Sequence, residues 1–482
     1  MNSIIETLSF DDVLISPRLS DIESRKTISL KTPLTKNISL NLPLISSPMD
    51  TITESKMAIE MALNGGLGII HRYNTIEQQV NMVKQVKRHL SFMIENPYTI
   101  LETETVDDLL YKIKQYNVYS YLVTDESNTL KGIVTKRDLN SHIMKNNTND
   151  IIIKNIMTPA DKIIAIIDIN FSRQSVINIM NEHKIEKVPI IDINQKIIGI
   201  ILYKNLMDYK LHKTTYSLDP QNRLLVGASV GIVGDYMERA EKLVNAGTDI
   251  LCIDVANGYN QTVYNVVQQL KTLNVDLMVG NVCNPEGFEF LCQAGADCIR
   301  VGIGNGSICS TRLVTGVGSG QFTALMTCRQ IARKYNIGMI SDGGHLGKDG
   351  NIAKALIVGA NAMILGKTLA ATDETPGRII NRNGRRVKYY RGMASAMAMA
   401  SKAEISNQEY NDSQNPEGVD MEIEIKGPVK NIVKRIESSI KSTMSYIGCK
   451  DIETLRNIEQ DIIFYKQSVG TMSETSIRGK TI

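Results

Sequence analysis

Apolar runs of five residues recur along the chain, each ending on, or followed directly by, glycine or a polar residue. They are Leu42–Ser46, Gly66–Ile70, Leu224–Ala228, Ile250–Asp254, Asp276–Gly280, Cys298–Gly302, Gly338–Asp342 and Ala362–Gly366. Stretches with helical spacing follow most of them. Met57, Ile59, Met61 and Ala62 mark one face after the first run, and Ile76, Val80, Val83 and Val86 recur through Ile76–Leu90. Further helical patterns cover Asp235–Asn245, Val263–Leu273, Glu286–Ala294, Phe322–Tyr335 and Ile352–Val358. This alternation predicts an α/β protein, and eight strands in it predict a closed (β/α)8 TIM barrel. An open doubly wound sheet is the competing topology, but no GxGxxG follows the first run. Residues 1–40 read as polar and turn-rich, with an extended segment at Lys26–Leu30.

The rhythm breaks between the second helix and Leu224. Two similar segments occupy residues 96–209, and Gly132-Ile133-Val134 and Gly199-Ile200-Ile201 open matching strand-to-helix turns 67 residues apart. An internal repeat of this kind is a tandem module. It resembles a pair of CBS domains, which implies an adenine or guanine nucleotide in the cleft between the repeats, with Asp138 on the ribose. The second repeat has Asn205 at the matching position. The expected divisions are 1–95 for the first part of the barrel, 96–210 for the inserted pair and 211–482 for the remainder.

Composition removes several classes of function. Fifty-four basic and 51 acidic residues balance to +3, too even for a nucleic-acid or anionic-membrane surface. No apolar run approaches the roughly 18 residues of a membrane span. The first residues lack the pattern of a secretion signal. Seven cysteines without a CxxC pair point to a reducing, cytoplasmic setting rather than a disulfide framework. Six histidines without HExxH or HxH argue against a transition-metal centre.

Chemistry concentrates where the apolar runs end. Gly302–Gly320 holds six glycines in nineteen residues, with one thiol, Cys309, among Ser307, Ser310 and Thr311. Such a loop presents a nucleophile, N–H groups for anions and carbonyls for cations. Ser47-Pro48-Met49-Asp50, His71-Arg72, Asp254–Gly258 and Gly280-Asn281 close other runs. Asp342-Gly343-Gly344 offers a carboxylate for ribose hydroxyls beside N–H groups for phosphate, and Gly366-Lys367 adds more at the last strand. Taken singly each is an ordinary turn; as a set they describe a nucleoside monophosphate site.

The segments SSPMDTITE, DVANGY, GIGNGSICSTRLVTGVGSGQ, ISDGG and YYRGMAS together resemble the IMP dehydrogenase / GMP reductase family over nearly the whole chain. The resemblance implies that Cys309 attacks C2 of the purine and bonds to it. It implies that Ser47, Met49, Ser307, Asp342, Gly344, Gly366, Tyr390, Gly392 and Met393 hold the nucleotide, beside the Gly343 and Lys367 already noted. Carbonyls of Gly302, Gly304 and Cys309 match the family's potassium loop. Asp254, with Asn257, Gly258 and Gly302, falls where the family places its nicotinamide cofactor. A homotetramer is implied, or a homo-octamer where CBS pairs dock. Lys367 stands where the family has a small residue, and Gly320 where many members have proline.

The family runs two reactions. The dehydrogenase oxidises IMP with NAD and uses an Arg-Tyr pair on a mobile flap to activate water; the reductase converts GMP to IMP with NADPH and uses a Thr-Glu pair on the amine. Residues 392–428 contain no arginine, and Ile405-Ser406-Asn407 occupies the place of Arg-Tyr. Thr311 and Glu417 supply both parts of the other pair. The expectation is therefore a GMP reductase with NADPH, with IMP dehydrogenase as the alternative and an inactive nucleotide sensor as a remote one.

Overall fold

The computed structural model describes residues 4–89, 93–95, 97–143, 151–167, 172–212, 214–405 and 415–474. Its contacts divide the chain into Met1–Lys87 with Thr214–Ile482, and Arg88–Lys213.

The first unit is a closed parallel barrel of eight strands. They are β1 Leu44–Ser46, β2 Leu67–Ile70, β3 Gly227–Val230, β4 Ile250–Asp254, β5 Asp276–Val282, β6 Cys298–Val301, β7 Gly338–Asp342 and β8 Ala362–Leu365. β8 pairs with β1, and β2 pairs with β3 across the insertion. The helices are α1 Ser55–Leu63, α2 Ile76–Arg88, α3 Tyr236–Asn245, α4 Gln261–Leu270, α5 Pro285–Ala294, α6 Gln321–Tyr335, α7 Asp349–Ile357 and α8 Val429–Tyr446. Among the described residues no helix is long and apolar enough to cross a membrane.

Successive strand side chains face opposite sides, and that alternation builds both core and site. Ile45, Ile69, Ile250, Cys252, Met278, Cys298, Ile340 and Ile364 share one buried cluster with Leu34, Ile38 and Leu40. The last three come from the hairpin of Thr32–Pro33 with Ser39–Leu40, which inserts beneath the strand starts. Two residues beyond these inward positions lie Ser47, Asp254, Arg300, Asp342 and Gly366. The period that fills the barrel thus delivers polar groups to its C-terminal mouth.

Some expected elements are displaced. Leu224 makes an antiparallel bridge to Leu218, and the Leu225 N–H donates to the Ser217 carbonyl. The third barrel strand therefore begins at Gly227, not Leu224. Lys26 lies in a 3-10 turn, Arg25–Thr27, rather than an extended segment. On α1, Ala58 is buried in place of Ile59, because Gly68 of β2 packs directly on it.

Two further sheets set the site. Val13–Ile15 pairs antiparallel with Phe464–Lys466. Ile380–Arg382, Arg385–Arg391 and Asp420–Glu424 form an antiparallel sheet after β8. Its ladder continues past Arg391, with the Gly392 N–H donating to the Val419 carbonyl at 3.2 Å and the Glu417 N–H to the Ala394 carbonyl at 3.1 Å. Residues 406–414, including Tyr410 and most of the Ile405-Ser406-Asn407 segment, lie outside the described residues.

The second unit repeats its own topology. Thr99–Leu101 runs parallel to Ser120–Thr124, which is antiparallel to Leu130–Thr135. Ile166–Ile167, Lys187–Ile191 and Ile197–Leu202 repeat that order. Each hairpin turns on an aspartate: Asp125 Oδ1 accepts from the Ser127 and Thr129 N–H groups, and Asp192 Oδ1 from those of Asn194 and Lys196. In Leu122, Leu130, Ile191 and Ile200 the two halves share a core.

Candidate active site

Cys309 is the only one of the seven cysteines that is exposed. Burial pushes Cys252 and Cys328 up to about 12, and Cys283 and Cys298 also upward. Those thiols are poor nucleophiles. Cys309 instead sits in a cavity of about 420 Å³ at the barrel mouth. Its Sγ lies 3.1 Å from Thr311 Oγ1, and that hydroxyl donates to Glu417 Oε2 at 2.7 Å. Glu417 reaches Thr311 across 106 residues because two backbone bonds clamp the segments together. The Ser310 N–H donates to the Glu417 carbonyl at 2.9 Å, and the Val419 N–H to the Ile308 carbonyl at 3.0 Å.

The same cavity is lined by Ser47, Met49, Asp254, Gly302, Gly304, Asp342, Tyr390, Gly392 and Met393. An adjoining cavity of about 590 Å³ is lined by Ser307, Gly343, Gly344, Gly366 and Lys367, and shares Ser47, Met49, Asp342 and Tyr390 with the first. Two glycine loops meet between them, where the Gly344 N–H donates to the Asn305 carbonyl at 3.0 Å. Gly302 has φ +144°, and a Cβ there would lie 2.2 Å from the Asp342 carbonyl oxygen, so only glycine lets β6 and β7 close at this point. Gly320 answers to a similar demand: its Cβ would stand 2.4 Å from the Leu8 carbonyl oxygen.

Asn257 and Gly258 are not among the cavity-lining residues. Asn257 is exposed and its Oδ1 accepts from the Tyr259 N–H, while the Gly258 N–H donates to the Asn281 carbonyl at 2.7 Å. Asp138 belongs to the second unit, where its Oδ2 accepts from the Thr135 N–H and hydroxyl at 2.8 and 2.7 Å.

A profile of the IMP dehydrogenase / GMP reductase domain matches residues 7–477. The chain belongs to the IMP dehydrogenase / GMP reductase family. Inosine-5'-monophosphate dehydrogenase of Nitrosopumilus maritimus is 39% identical over 477 residues, covering 98% of each chain. GMP reductase of Leishmania major is 35% identical over 464 residues, covering 94% of this chain and 93% of its own. A crystal structure of GMP reductase from Trypanosoma brucei, a Cys-to-Ala variant in complex with guanosine 5'-monophosphate, superposes with a TM-score of 0.91. That protein is 37% identical, and 99% of each chain is covered. Members of this family are oxidoreductases of purine nucleotides and use nicotinamide cofactors.

In this family member Arg300 and Tyr73 escaped the reading of the sequence, and Asn281 and Arg72 were named there only as the close of their runs. Arg300 is buried in β6; its Nη1 donates to Asp254 Oδ1 at 2.6 Å, and its Nη2 to Asp342 Oδ2 at 2.7 Å. Burial disfavours its charge, but the two carboxylates outweigh that and push its pKa upward. Asn281 Nδ2 donates to Asp342 Oδ2 at 2.8 Å and to the Gly302 carbonyl at 2.7 Å, leaving its buried Oδ1 without a partner. An arginine within the apolar run DCIRV was the available signal, since a buried charge requires partners. Arg72 and Tyr73 line the opposite wall. The Tyr73 hydroxyl donates to the Met393 carbonyl at 2.7 Å, and Arg72 Nε is buried with no hydrogen-bond partner among the described residues.

The three carbonyls expected to hold potassium have lone pairs that fit a cation. The Gly302 carbonyl already accepts from Asn281, which leaves one lone pair; Gly304 and Cys309 carbonyls accept no hydrogen bond among the described residues.

Proposed function

We propose that the protein is a GMP reductase, converting GMP to IMP and ammonia with NADPH. The observation that carries this reading is the row Cys309–Thr311–Glu417, at 3.1 and 2.7 Å, beside a flap segment that contains no arginine. The Cys309 sulfur, as thiolate, bonds to C2 of the purine. The bond from C2 to the exocyclic nitrogen then breaks, and Thr311 relays a proton from Glu417 so that the nitrogen leaves as ammonia. NADPH, when bound, supplies the hydride that converts C2 to its IMP state as the thiolate departs. Asp342 takes the ribose hydroxyls, Ser307, Gly344, Gly366 and Tyr390 take the phosphate, and Asp254, Asn281 and Arg300 face the nicotinamide side. Potassium would be held by the Gly302, Gly304 and Cys309 carbonyls, tightening the loop that carries the thiol.

A second reading, IMP dehydrogenase, is favoured by one observation. Although residues 392–428 lack a guanidinium, Arg72 brings one to the cavity wall from the loop after β2. Ammonia release from GMP with NADPH, measured beside NADH formation from IMP with NAD, separates the two. The first reading predicts sustained turnover only in the reductive assay.

The second unit reads as a CBS pair that binds a purine nucleotide through Asp138 and modulates activity or assembly of a homotetramer or homo-octamer. Calorimetry with ATP and GTP on the wild type and on Asp138→Ala tests it. Equal binding to both would count against that site.

A further inference from the structure

The cavity of about 590 Å³ extends beyond what one phosphate needs. Its inner end is the glycine cradle of Gly343, Gly344 and Gly366 with Ser307 and Tyr390; its outer end is lined by Leu346, Thr368, Lys367, Lys426, Ile432 and Arg435. The outer lining holds three cations and, among the described residues, no carboxylate. Arg435 is occupied by Asp349, from Nε and Nη2, both at 3.0 Å. Lys367 and Lys426 enter no ion pair among the described residues. Lys426 Nζ donates to the Lys367 and Thr368 carbonyls at 2.7 and 3.1 Å, so one of its three N–H bonds is left for a ligand. Burial, with Lys367 and Arg435 close by, pushes its pKa down to about 8. Cations held together in this way are relieved by an anion between them.

We propose that the outer end takes a second phosphoryl group, so that purine nucleoside 5'-diphosphates occupy the site in competition with the monophosphate substrate. This rests on the reading of the cleft as a purine nucleotide site. It makes Lys367 and Lys426 the residues that sense phosphate chain length, and the diphosphate a competitor for the pocket that the monophosphate substrate uses.

The test is steady-state inhibition by guanosine 5'-diphosphate with the monophosphate substrate varied, on the full chain and on Lys367→Ser. Competitive inhibition in the wild type is expected. In Lys367→Ser the inhibition constant should rise at least about tenfold, and clearly more than the KM for the monophosphate. Lys426→Met, in a folded sample verified by circular dichroism, should do the same. Absent or non-competitive inhibition, or equal rises in both constants, would overturn the proposal. If the enzyme oxidises IMP instead, the same experiment is run with IMP varied, so the direction of the reaction and the diphosphate site fail separately.

Discussion

The Thr311 hydroxyl donates to Glu417 Oε2 at 2.7 Å while standing 3.1 Å from Cys309 Sγ. On the proposed reading Thr311 stands between the acid and the thiol, and its hydroxyl would turn to pass a proton from Glu417 to the leaving nitrogen. Glu417→Gln keeps the shape of this contact and removes the exchangeable acid. We expect kcat for ammonia release to fall by about 10²–10⁴-fold with KM for GMP little changed. A Thr311→Val, Glu417→Gln double variant should be hardly slower than either single variant, because the two act as one relay. Stopped-flow and steady-state rates on the four proteins check both statements.

Arg300 ties Asp254 to Asp342, the two carboxylates that the proposed reading assigns to the nicotinamide and to the ribose. A lysine keeps the charge but lacks the planar fork that serves two carboxylates at once. Arg300→Lys should fold and lose about 10²-fold in kcat/KM, reflecting misplaced ligands. Unaltered kinetics would show that the bridge is not what positions them.

Lys87 is buried, with Nζ 3.0 Å from Asp219 Oδ2 and 2.6 Å from Asp249 Oδ2. It fastens α2 to the start of β4 and to the turn before β3. Lys87→Met leaves Asp249 without its cation, while Asp219 keeps Arg223 at 2.9 Å, and should destabilise by about 3 kcal/mol in urea unfolding.

His345 lines the cavity of about 590 Å³, with Nε2 2.6 Å from Thr368 Oγ1, and burial lowers its pKa from 6.5 to about 4. Between those values the unfolded chain takes up a proton that the folded chain does not. Stability therefore falls as pH drops from 6.5 towards 4, by on the order of 3 kcal/mol from this group. Urea melts of His345→Gln should show a correspondingly shallower acid loss than the wild type.

The barrel was legible in the sequence because its strands are short, apolar and closed by glycine or polar residues. The repeat was legible because Gly132-Ile133-Val134 and Gly199-Ile200-Ile201 recur 67 residues apart, whereas the aspartates on which both hairpins turn were found only in the structure. Helix α8 was not singled out, although Val429, Val433, Ile436, Ile440 and Met444 carry the helical period, because it follows a sheet excursion that interrupts the alternation. Cys309, Thr311 and Glu417 could be named from type and spacing. Their partners could not: Arg300 looks like a strand residue until the barrel closes and sets it between Asp254 and Asp342. Arg72 was named only as the close of a run, and its place in the same cavity as the thiol appears once β2 is set in the barrel.

The most direct measurement is a quenched-flow reaction of the enzyme with IMP and NAD, following NADH, XMP and nucleotide bound to protein. The account predicts NADH equivalent to at most one turnover per site and a nucleotide adduct retained on Cys309, with no continuing release of XMP. Steady production of XMP over many turnovers would contradict it.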